Sequence, residues 1–397
     1  MNCAVDMPSE EKSLMQSSEE LLKIQDLKLY FFTLLGVVKA LEGVELHLEK
    51  GDTLGLVGET GCGKSVTALS TIRLIPIPPA KIIEGKILFE GMDLAKMNEE
   101  EIRRIRGHKI SVVFQEPTTS LNPVLKVGDQ IAEVIMIHQD LAAEALEGKI
   151  DRLEAKEAWL ESKGLSLVSG LLGLRRQIKD SEERRKNPPK PSRKDLRRAA
   201  LAKAVQSLRL TGIPDPERAA ERYPHELSGG MRQRVMIAIA LACNPDLLIA
   251  DEPTSSLDVT IQAQIIQLMR DLKKQMGSSI LLITHHLGLV AHMCNKVTVM
   301  YAGRVVESAT ATELFKNPLH PYTRALLRSI PKIREKAERL DSIPGTVPDL
   351  LDPPPGCRFH PRCESALGLC KEQTPRLIEV SPHHFVSCHL LGAKRHD

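Results

Sequence analysis

The sequence predicts an α/β fold with a largely parallel sheet, and two observations support that prediction. Short apolar runs bounded by Gly, Pro or Asp are typical of buried strands. Such runs occur at 53–57, 110–114, 247–250 and 279–284, and helical stretches occur at 64–75, 231–243 and 259–276. Apolar strands that alternate with helices favour parallel strands joined by crossover helices.

Composition limits the classes of function that the chain can have. It has 397 residues, 54 of them Lys or Arg and 51 Asp or Glu, and a formal net charge of +3. This near balance disfavours nucleic-acid binding through a strongly basic domain. No apolar run approaches the ~20 residues that a membrane-spanning helix needs, and the N-terminus lacks the pattern of a signal peptide. We therefore expect a chain that does not cross a membrane by itself.

A phosphate-binding loop follows the strand predicted at 53–57. The segment Gly58-Glu-Thr-Gly-Cys-Gly-Lys64-Ser65 fits the pattern G-x-x-x-x-G-K-[S/T] between a strand and a helix. Its glycines allow backbone N–H groups to converge on phosphate oxygens at a helix N-terminus. Lys64 is expected to bridge the β- and γ-phosphates, and the Ser65 hydroxyl to ligate Mg²⁺. The predicted ATP-binding residues of this loop are Gly58, Glu59, Thr60, Gly61, Cys62, Gly63, Lys64, Ser65 and Val66.

Two acidic residues end the apolar strand predicted at 247–250. Ligands of open α/β sheets bind at the carboxyl ends of the strands, which is where Asp251 and Glu252 are expected. Asp251 is predicted to help hold Mg²⁺, and Glu252 to polarise the attacking water. A strand that merely ends in solvated acids is the alternative, which the phosphate loop disfavours.

A second anion site is predicted at Ser228, Gly229 and Gly230, which lie at the N-terminus of a predicted helix. Together with the phosphate loop, this motif resembles the nucleotide-binding subunit of ABC transporters. The resemblance implies a P-loop NTPase (RecA-like) nucleotide-binding domain, a helical subdomain and a small C-terminal region rich in Cys and Pro.

Further site residues come from the same resemblance. It implies that Phe31 stacks on adenine and that Gln115 joins Mg²⁺ to the helical subdomain. It also implies that Asp258 lies in a dimer-contact loop at the nucleotide and that His285 contacts the γ-phosphate. His286 stands where this family usually has an acid, so either imidazole could face the phosphate. The implied catalytic residues are Glu252, His285, Gln115 and Lys64, and the implied Mg²⁺ ligands are Ser65, Gln115 and Asp251.

The resemblance extends to one branch of the family, the oligopeptide, dipeptide and nickel importers. Segments 119–123, 224–234, 259–264, 318–327 and 343–351 are similar to that branch. The resemblance implies a head-to-tail ATPase dimer, with ATP between Lys64 of one subunit and Ser228 of the other. It also implies a second ATPase subunit, two transmembrane permeases, an extracytoplasmic substrate-binding protein and a place at the cytoplasmic face of the cell membrane. A soluble ABC-type ATPase that acts on ribosomes or nucleic acid is the alternative.

These motifs and the changes in composition give the expected domains. Residues 1–20 are expected to be flexible, 21–317 to form the nucleotide-binding domain and 318–397 to form the C-terminal region. A helical subdomain is expected at about 126–234, with an unusual charged insertion at about 140–200. Its basic stretch at 175–198 is either a contact for phospholipid head groups or a partner, or a solvated loop.

Four cysteines, Cys357, Cys363, Cys370 and Cys388, lie in a proline-rich tail. Their number suits a [4Fe–4S] cluster, but the spacings of zinc ribbons and ferredoxins are both absent. Zinc held with help from His360, His383 or His384, or no metal at all, are the alternatives. The resemblance to the importer branch implies a [4Fe–4S] cluster, with a structural or a redox-sensing role.

Overall fold

The computed structural model describes residues 20–162, 174–179, 191–255, 257–329 and 343–392. The chain divides into two compact units. Unit 1 comprises 1–106, 246–255 and 262–397, and unit 2 comprises 107–245 and 256–261. The predicted flexible segment before Glu20 and the centre of the basic stretch, 180–190, lie outside the described residues.

The strands and helices below are numbered along the chain. The strands are β1 (Glu20–Thr33), β2 (Gly36–Glu49), β3 (Thr53–Val57), β4 (Ala80–Phe89), β5 (Met92–Asp93), β6 (Ile110–Val113), β7 (Leu247–Asp251), β8 (Ser279–Ile283), β9 (Lys296–Tyr301), β10 (Arg304–Thr310), β11 (Ile378–Ser381) and β12 (His384–Val386). The helices are α1 (Lys64–Thr71), α2 (Glu99–Ile105), α3 (Pro117–Ser120), α4 (Val127–His138), α5 (Ala142–Ser162), α6 (Arg193–Leu210), α7 (Pro216–Ala220), α8 (Gly229–Leu241), α9 (Val259–Met276), α10 (Leu287–Met293), α11 (Ala311–Lys316), α12 (Pro321–Arg328), α13 (Leu369–Glu372) and α14 (His389–Gly392).

Unit 1 contains an antiparallel sheet and a sheet with a parallel centre. The antiparallel sheet has the order β2-β1-β4-β5, and the other sheet runs β11-β12-β10-β9-β3-β8-β7 through this unit. Strand β3 is parallel to both β8 and β9, and β7 is parallel to β8. Every residue of β3, β7 and β8 is buried, as expected for parallel strands covered on both faces. The predicted α/β class is confirmed.

Local chemistry sets the ends of the helices next to the predicted motifs. Helix α1 ends four residues earlier than predicted, because Arg73 adopts a left-handed conformation (φ +51°) and Pro76 follows. Helix α8 begins two residues earlier than predicted, because the Ser228 side chain accepts a hydrogen bond from the Met231 N–H and so caps the helix.

Unit 2 is a helical layer with an aliphatic interior. Helix α6 contacts α4, α5, α7 and α8. The buried residues between them are aliphatic and include Ile131, Ile135, Ala200, Ala204 and Leu208. Arg197 of the basic stretch forms an exposed ion pair with Asp129 at 2.8 Å, which favours a solvated helical face for this part of the stretch. None of the helices in the described part of the chain is long and apolar enough to span a membrane.

The proline-rich tail packs into the core of unit 1. The proline content predicts no long helix there, and the described tail residues beyond 343 form only short helices and the strands β11 and β12. The rings of Tyr301, Tyr322 and Phe359 lie within 4.7–5.3 Å of one another, so the tail contributes to an aromatic cluster. Strand β12 pairs with β10, which gives the tail regular hydrogen bonds that its proline content did not predict.

Glu307 joins the tail to the sheet through a buried carboxylate. This side chain on β10 is fully buried and accepts hydrogen bonds from the N–H groups of Leu319 (2.8 Å) and His320 (2.9 Å). It also hydrogen bonds to Nε2 of the buried His384 at 2.8 Å. A buried carboxylate with three partners holds its neighbours in one arrangement, because a donor that moves away loses this hydrogen bond without water nearby to replace it.

Replacing Glu307 with Ala is expected to lower the free energy of unfolding by about 3 kcal/mol, because two backbone donors and an imidazole lose their acceptor. Glu313→Ala is the matched control: Glu313 is 43% exposed and should cost about 0.5 kcal/mol or less. Urea unfolding followed by circular dichroism measures both. Equal effects of the two substitutions would contradict this role of Glu307.

Candidate functional site

The phosphate loop connects β3 to α1, and its backbone requires glycine at two positions. Gly58 has φ +151°, and a Cβ there would lie 2.2 Å from the carbonyl oxygen of Met300. Gly63 precedes α1 with φ +100°, and a Cβ there would lie 3.1 Å from the carbonyl oxygen of Ala40. Both positions exclude an ordinary side chain, so the loop lies directly against the neighbouring backbone.

Lys64 is buried and held inside this loop. Its ammonium donates hydrogen bonds to the carbonyl oxygens of Gly58 (2.8 Å) and Glu59 (2.9 Å). The cation therefore lies among backbone groups of the loop predicted to bind phosphate. Cys62 is buried beside it, with its Sγ 3.6 Å from Nζ, and burial raises the pKa of this thiol. Thr60 and Gly61 are exposed at the tip of the loop, and Val66 is half-buried in the first turn of α1.

Ser65 and Asp251 form a pair of oxygen donors at the ends of their elements. The Ser65 hydroxyl donates to Oδ1 of Asp251 at 3.1 Å. Asp251 is the last residue of β7 and is buried, and this burial raises the pKa of its carboxyl. A hydroxyl and a carboxylate are hard ligands that suit Mg²⁺, so the donor set fits the predicted ion. Bound Mg²⁺ would supply positive charge to phosphate oxygens.

Glu252 and His285 form a second pair at the same edge of the sheet. His285 Nδ1 lies 3.1 Å from Oε1 of Glu252. Glu252 has a left-handed backbone (φ +45°), and its N–H donates to the carbonyl of Ile283 at 2.9 Å. Unusual backbone angles in non-glycine residues concentrate at functional sites. His286 instead precedes α10 as its N-terminal flanking residue, so the geometry selects His285 as the partner of Glu252.

Other predicted residues lie elsewhere in unit 1 or in unit 2. Phe31 is half-buried in β1, where it pairs with Val38 and Ala80. In unit 2, Ser228 and Gly229 are exposed at the start of α8, and Asp258 accepts a hydrogen bond from the Ile261 N–H at 3.0 Å. Gly230 follows Gly229 in the first turn, and Gln115 is exposed after β6. Their contacts with nucleotide stay predictions.

The family described as ABC transporter matches residues 41–255, more than half of the chain. The chain belongs to this family. The match confirms the resemblance. It spans the phosphate loop, Asp251 and Glu252, whose roles in ATP hydrolysis stay predictions. A second family, described as the oligopeptide/dipeptide transporter, C-terminal region, matches residues 306–370 of this ABC ATPase.

Similar proteins cover nearly the whole ABC ATPase. A probable peptide ABC transporter ATP-binding protein of Sinorhizobium fredii is 46% identical, over 93% of this chain and 94% of the relative. An oligopeptide transport ATP-binding protein of Bacillus subtilis is 44% identical, over 94% of this chain and 89% of the relative.

Two solved structures share the fold. The ATP-binding cassette MJ0796, in a dimeric post-hydrolysis state, has a TM-score of 0.52 at 23% identity, over 73% of this chain and 99% of that one. The cbiO1 subunit of Clostridium perfringens has a TM-score of 0.51 at 22% identity, over 75% and 92%.

The four tail cysteines lie near one another without forming a ready metal site. The pKa of the Cys357 thiol is raised to about 11, mainly by burial, with a smaller contribution in the same direction from the thiols of Cys370, Cys388 and Cys363. Across 20–162, 174–179, 191–255, 257–329 and 343–392, no group of three or more His, Cys, Asp or Glu is arranged to hold a metal ion. The predicted [4Fe–4S] ligand set therefore gains no support from that geometry.

One contact of the phosphate loop was missed by sequence analysis. Arg362 of the tail forms an ion pair with Glu59 at 2.7 Å. The two residues are separated by 303 positions, and no spacing rule links them. The flanking cysteines Cys357 and Cys363 mark the segment as unusual, but no local pattern points to this arginine.

Replacing Asp251 with Asn is expected to raise the Mg²⁺ concentration for half-maximal ATP hydrolysis by about tenfold or more, because an amide is a weaker ligand than a carboxylate. Asp246→Asn is the control, since Asp246 is an exposed acid just before the same strand. Hydrolysis rates across a Mg²⁺ titration measure both. An unchanged Mg²⁺ dependence in D251N would remove Asp251 from the metal site.

Proposed function

We propose that this chain is the ATP-hydrolysing subunit of a peptide importer. The observation that carries the proposal is the convergence of three groups at the carboxyl ends of β3, β7 and β8. These groups are the phosphate loop, the Ser65–Asp251 pair and the Glu252–His285 pair. Phosphoryl transfer to water depends mainly on positioning and on charge neutralisation, and these groups supply both.

Each group has a distinct part in the proposed reaction. Lys64 neutralises the β- and γ-phosphates, and Ser65 and Asp251 would hold Mg²⁺ against them, with Gln115 as the third predicted ligand. Glu252 orients the attacking water and accepts its proton. His285, 3.1 Å from that carboxylate, holds Glu252 in place and contacts the γ-phosphate.

A complete site is proposed to need two subunits. One chain supplies one phosphate loop and one Ser-Gly-Gly segment, and the exposure of Ser228 and Gly229 leaves that segment accessible to another molecule. In a head-to-tail dimer, the partner subunit's Ser228 would close on ATP bound to Lys64. Closure on ATP and reopening after hydrolysis would be the mechanical step.

Peptide import follows from the relatives that cover most of this chain, which are described as peptide and oligopeptide transport ATP-binding proteins. The proposed assembly has two permease subunits, an extracytoplasmic substrate-binding protein and this ATPase at the cytoplasmic face of the membrane. The alternative, a soluble ABC ATPase that acts on ribosomes or nucleic acid, has less support, since the net charge is only +3.

Glu252→Gln is expected to reduce ATP hydrolysis by about 100-fold or more and to preserve ATP binding, because the amide cannot accept the proton from water. Asp271→Asn, which neutralises an exposed acid on α9, is the control and should retain full activity. Phosphate release and equilibrium ATP binding measure the two properties. Undiminished hydrolysis by E252Q would refute the proposed role of Glu252.

The transport proposal is tested in the assembled complex. The ATPase is purified with its permeases and binding protein, reconstituted into vesicles and supplied with labelled peptides and ATP. Uptake that needs ATP and is lost in E252Q supports peptide import. If the ATPase instead co-purifies with ribosomes and without permeases, the alternative is favoured.

We propose in addition that Cys357, Cys363, Cys370 and Cys388 hold a [4Fe–4S] cluster. Three of them have a feature that suits ligand thiolates. Burial raises the pKa of the thiols of Cys357, Cys363 and Cys388, and hydrogen bonding to the backbone N–H groups of Phe359, Ser365 and Leu390, two residues later in each case, lowers it. Such bonds favour the thiolate and tune cluster potentials. A bound cluster would supply a covalent link across this tail.

Protein purified without oxygen is expected to contain about four iron and four sulfide per chain and to absorb in the thiolate-to-iron region. Cys370→Ser should lower both contents, whereas Cys243→Ser, at a buried cysteine of unit 2, should leave them unchanged. Colourless, iron-free wild-type protein would refute the cluster.

A further inference from the structure

A buried arginine of the tail holds the side chain of a phosphate-loop residue. Arg362 lies in the turn that leads to Cys363, and its guanidinium donates to both carboxylate oxygens of Glu59. The distances are 2.7 Å from Nη1 to Oε2 and 3.1 Å from Nη2 to Oε1. The Arg362 side chain is 5% exposed and the Glu59 side chain 28%. Two parallel contacts of this kind fix both the position and the orientation of a carboxylate.

The guanidinium is itself fixed by the tail and by the core of unit 1. Its Nε donates to the carbonyl of Pro344 at 2.8 Å, and its Nη2 donates to that of Ile343 at 3.3 Å. Nη1 also donates to the hydroxyl of Tyr301 at 3.2 Å. These hydrogen bonds use the N–H donors of the guanidinium in one orientation of the side chain. In that orientation Nη1 and Nη2 face the Glu59 carboxylate.

The backbone of Glu59 is also held by a residue of the C-terminal region. Its N–H donates to the hydroxyl of Tyr322, a buried residue of α12, at 2.9 Å. The aromatic cluster joins Tyr322 to Phe359, three residues before Arg362. Both the main chain and the side chain of one loop residue therefore depend on C-terminal residues.

Charge explains why this loop needs such a partner. Glu59 places a carboxylate in a loop whose proposed ligand is the triphosphate of ATP. Lys64 contacts the carbonyl oxygen of Glu59, whereas Arg362 contacts its carboxylate. An uncompensated carboxylate close to a triphosphate opposes its binding, and partial burial limits screening by salt.

We infer that Arg362 is a positioning residue for ATP binding, which acts by holding and neutralising Glu59 in the phosphate loop. The C-terminal tail thereby sets the affinity of the loop for a nucleoside triphosphate. This inference rests on the proposed ATPase function and adds a determinant outside the segments that contact ATP.

The test compares ATP affinity, KM and kcat in the full chain across a small set of variants. Arg362→Gln leaves the Glu59 carboxylate without its cation and is expected to raise Kd and KM for ATP about tenfold, with kcat changed less than about twofold. Arg362→Lys retains the charge and should recover most of the affinity. The double variant E59Q/R362Q removes the charge as well and should bind ATP more tightly than R362Q.

Arg358→Gln is the matched control. Arg358 is a buried arginine four residues earlier, and it contacts Glu42 at 3.5 Å and the carbonyl of Ala302 rather than Glu59. It should lower the melting temperature and leave Kd for ATP within about twofold. If Arg362 served stability alone, R358Q and R362Q would shift Kd alike, and E59Q/R362Q would bind no better than R362Q.

The outcomes separate this inference from the proposed function. Wild-type protein that neither binds nor hydrolyses ATP would refute the proposed function. Wild-type protein that does both, with Kd unchanged in R362Q, would overturn the inference alone. If R362Q does not fold, Arg362→Met, which also removes the cation but keeps a side chain that packs in the buried site, and the double variant E59Q/R362M replace R362Q and E59Q/R362Q. Tighter binding by the double variant then supports the inference, and equal binding overturns it.

Discussion

The parallel register of three buried strands is the constraint on which the proposed ATPase site depends. Leu56 of β3 and Asp251 of β7 both pair with Ile283 of β8, so these strands end at one level. The phosphate loop, the two acids and His285 follow those ends and therefore meet, although they come from distant parts of the sequence. A shift of one residue in this register would separate Ser65 from Asp251 and Glu252 from His285.

The C-terminal tail is integrated into the same unit by three kinds of interaction. Aromatic packing joins Phe359 to Tyr301 and Tyr322. The Glu307 carboxylate hydrogen bonds to three groups, among them the His384 imidazole. Arg362 forms an ion pair with Glu59. Proline prevents long helices in this segment, so side chains provide much of what regular backbone hydrogen bonds provide elsewhere. The tail is therefore part of the ATPase structure, and it contacts the loop that is proposed to bind ATP.

The sequence predicted the α/β class, the strands β3, β6, β7 and β8, and the loop and acids that the structure places in the candidate site, because those features are local. A phosphate loop, a buried strand that ends in two acids and a serine that caps a helix can each be recognised within a few residues. It did not predict strand β12 beside β10, the contact between His285 and Glu252, or the partner of Glu59. Each of these depends on which distant segments pack together, and a pattern of neighbouring residues carries no information on that.

The sequence by itself determined the α/β class, the phosphate loop with Lys64 and Ser65, and the acids Asp251 and Glu252. Their backbone geometry and chemistry follow from residue types at fixed short spacings. Only the tertiary structure decided that Arg362 neutralises Glu59 across 303 positions and that Tyr322 holds its backbone. The physical reason is that a buried charge is costly in free energy unless an opposite charge or a hydrogen-bonding group lies beside it. Only the fold decides which residue lies there.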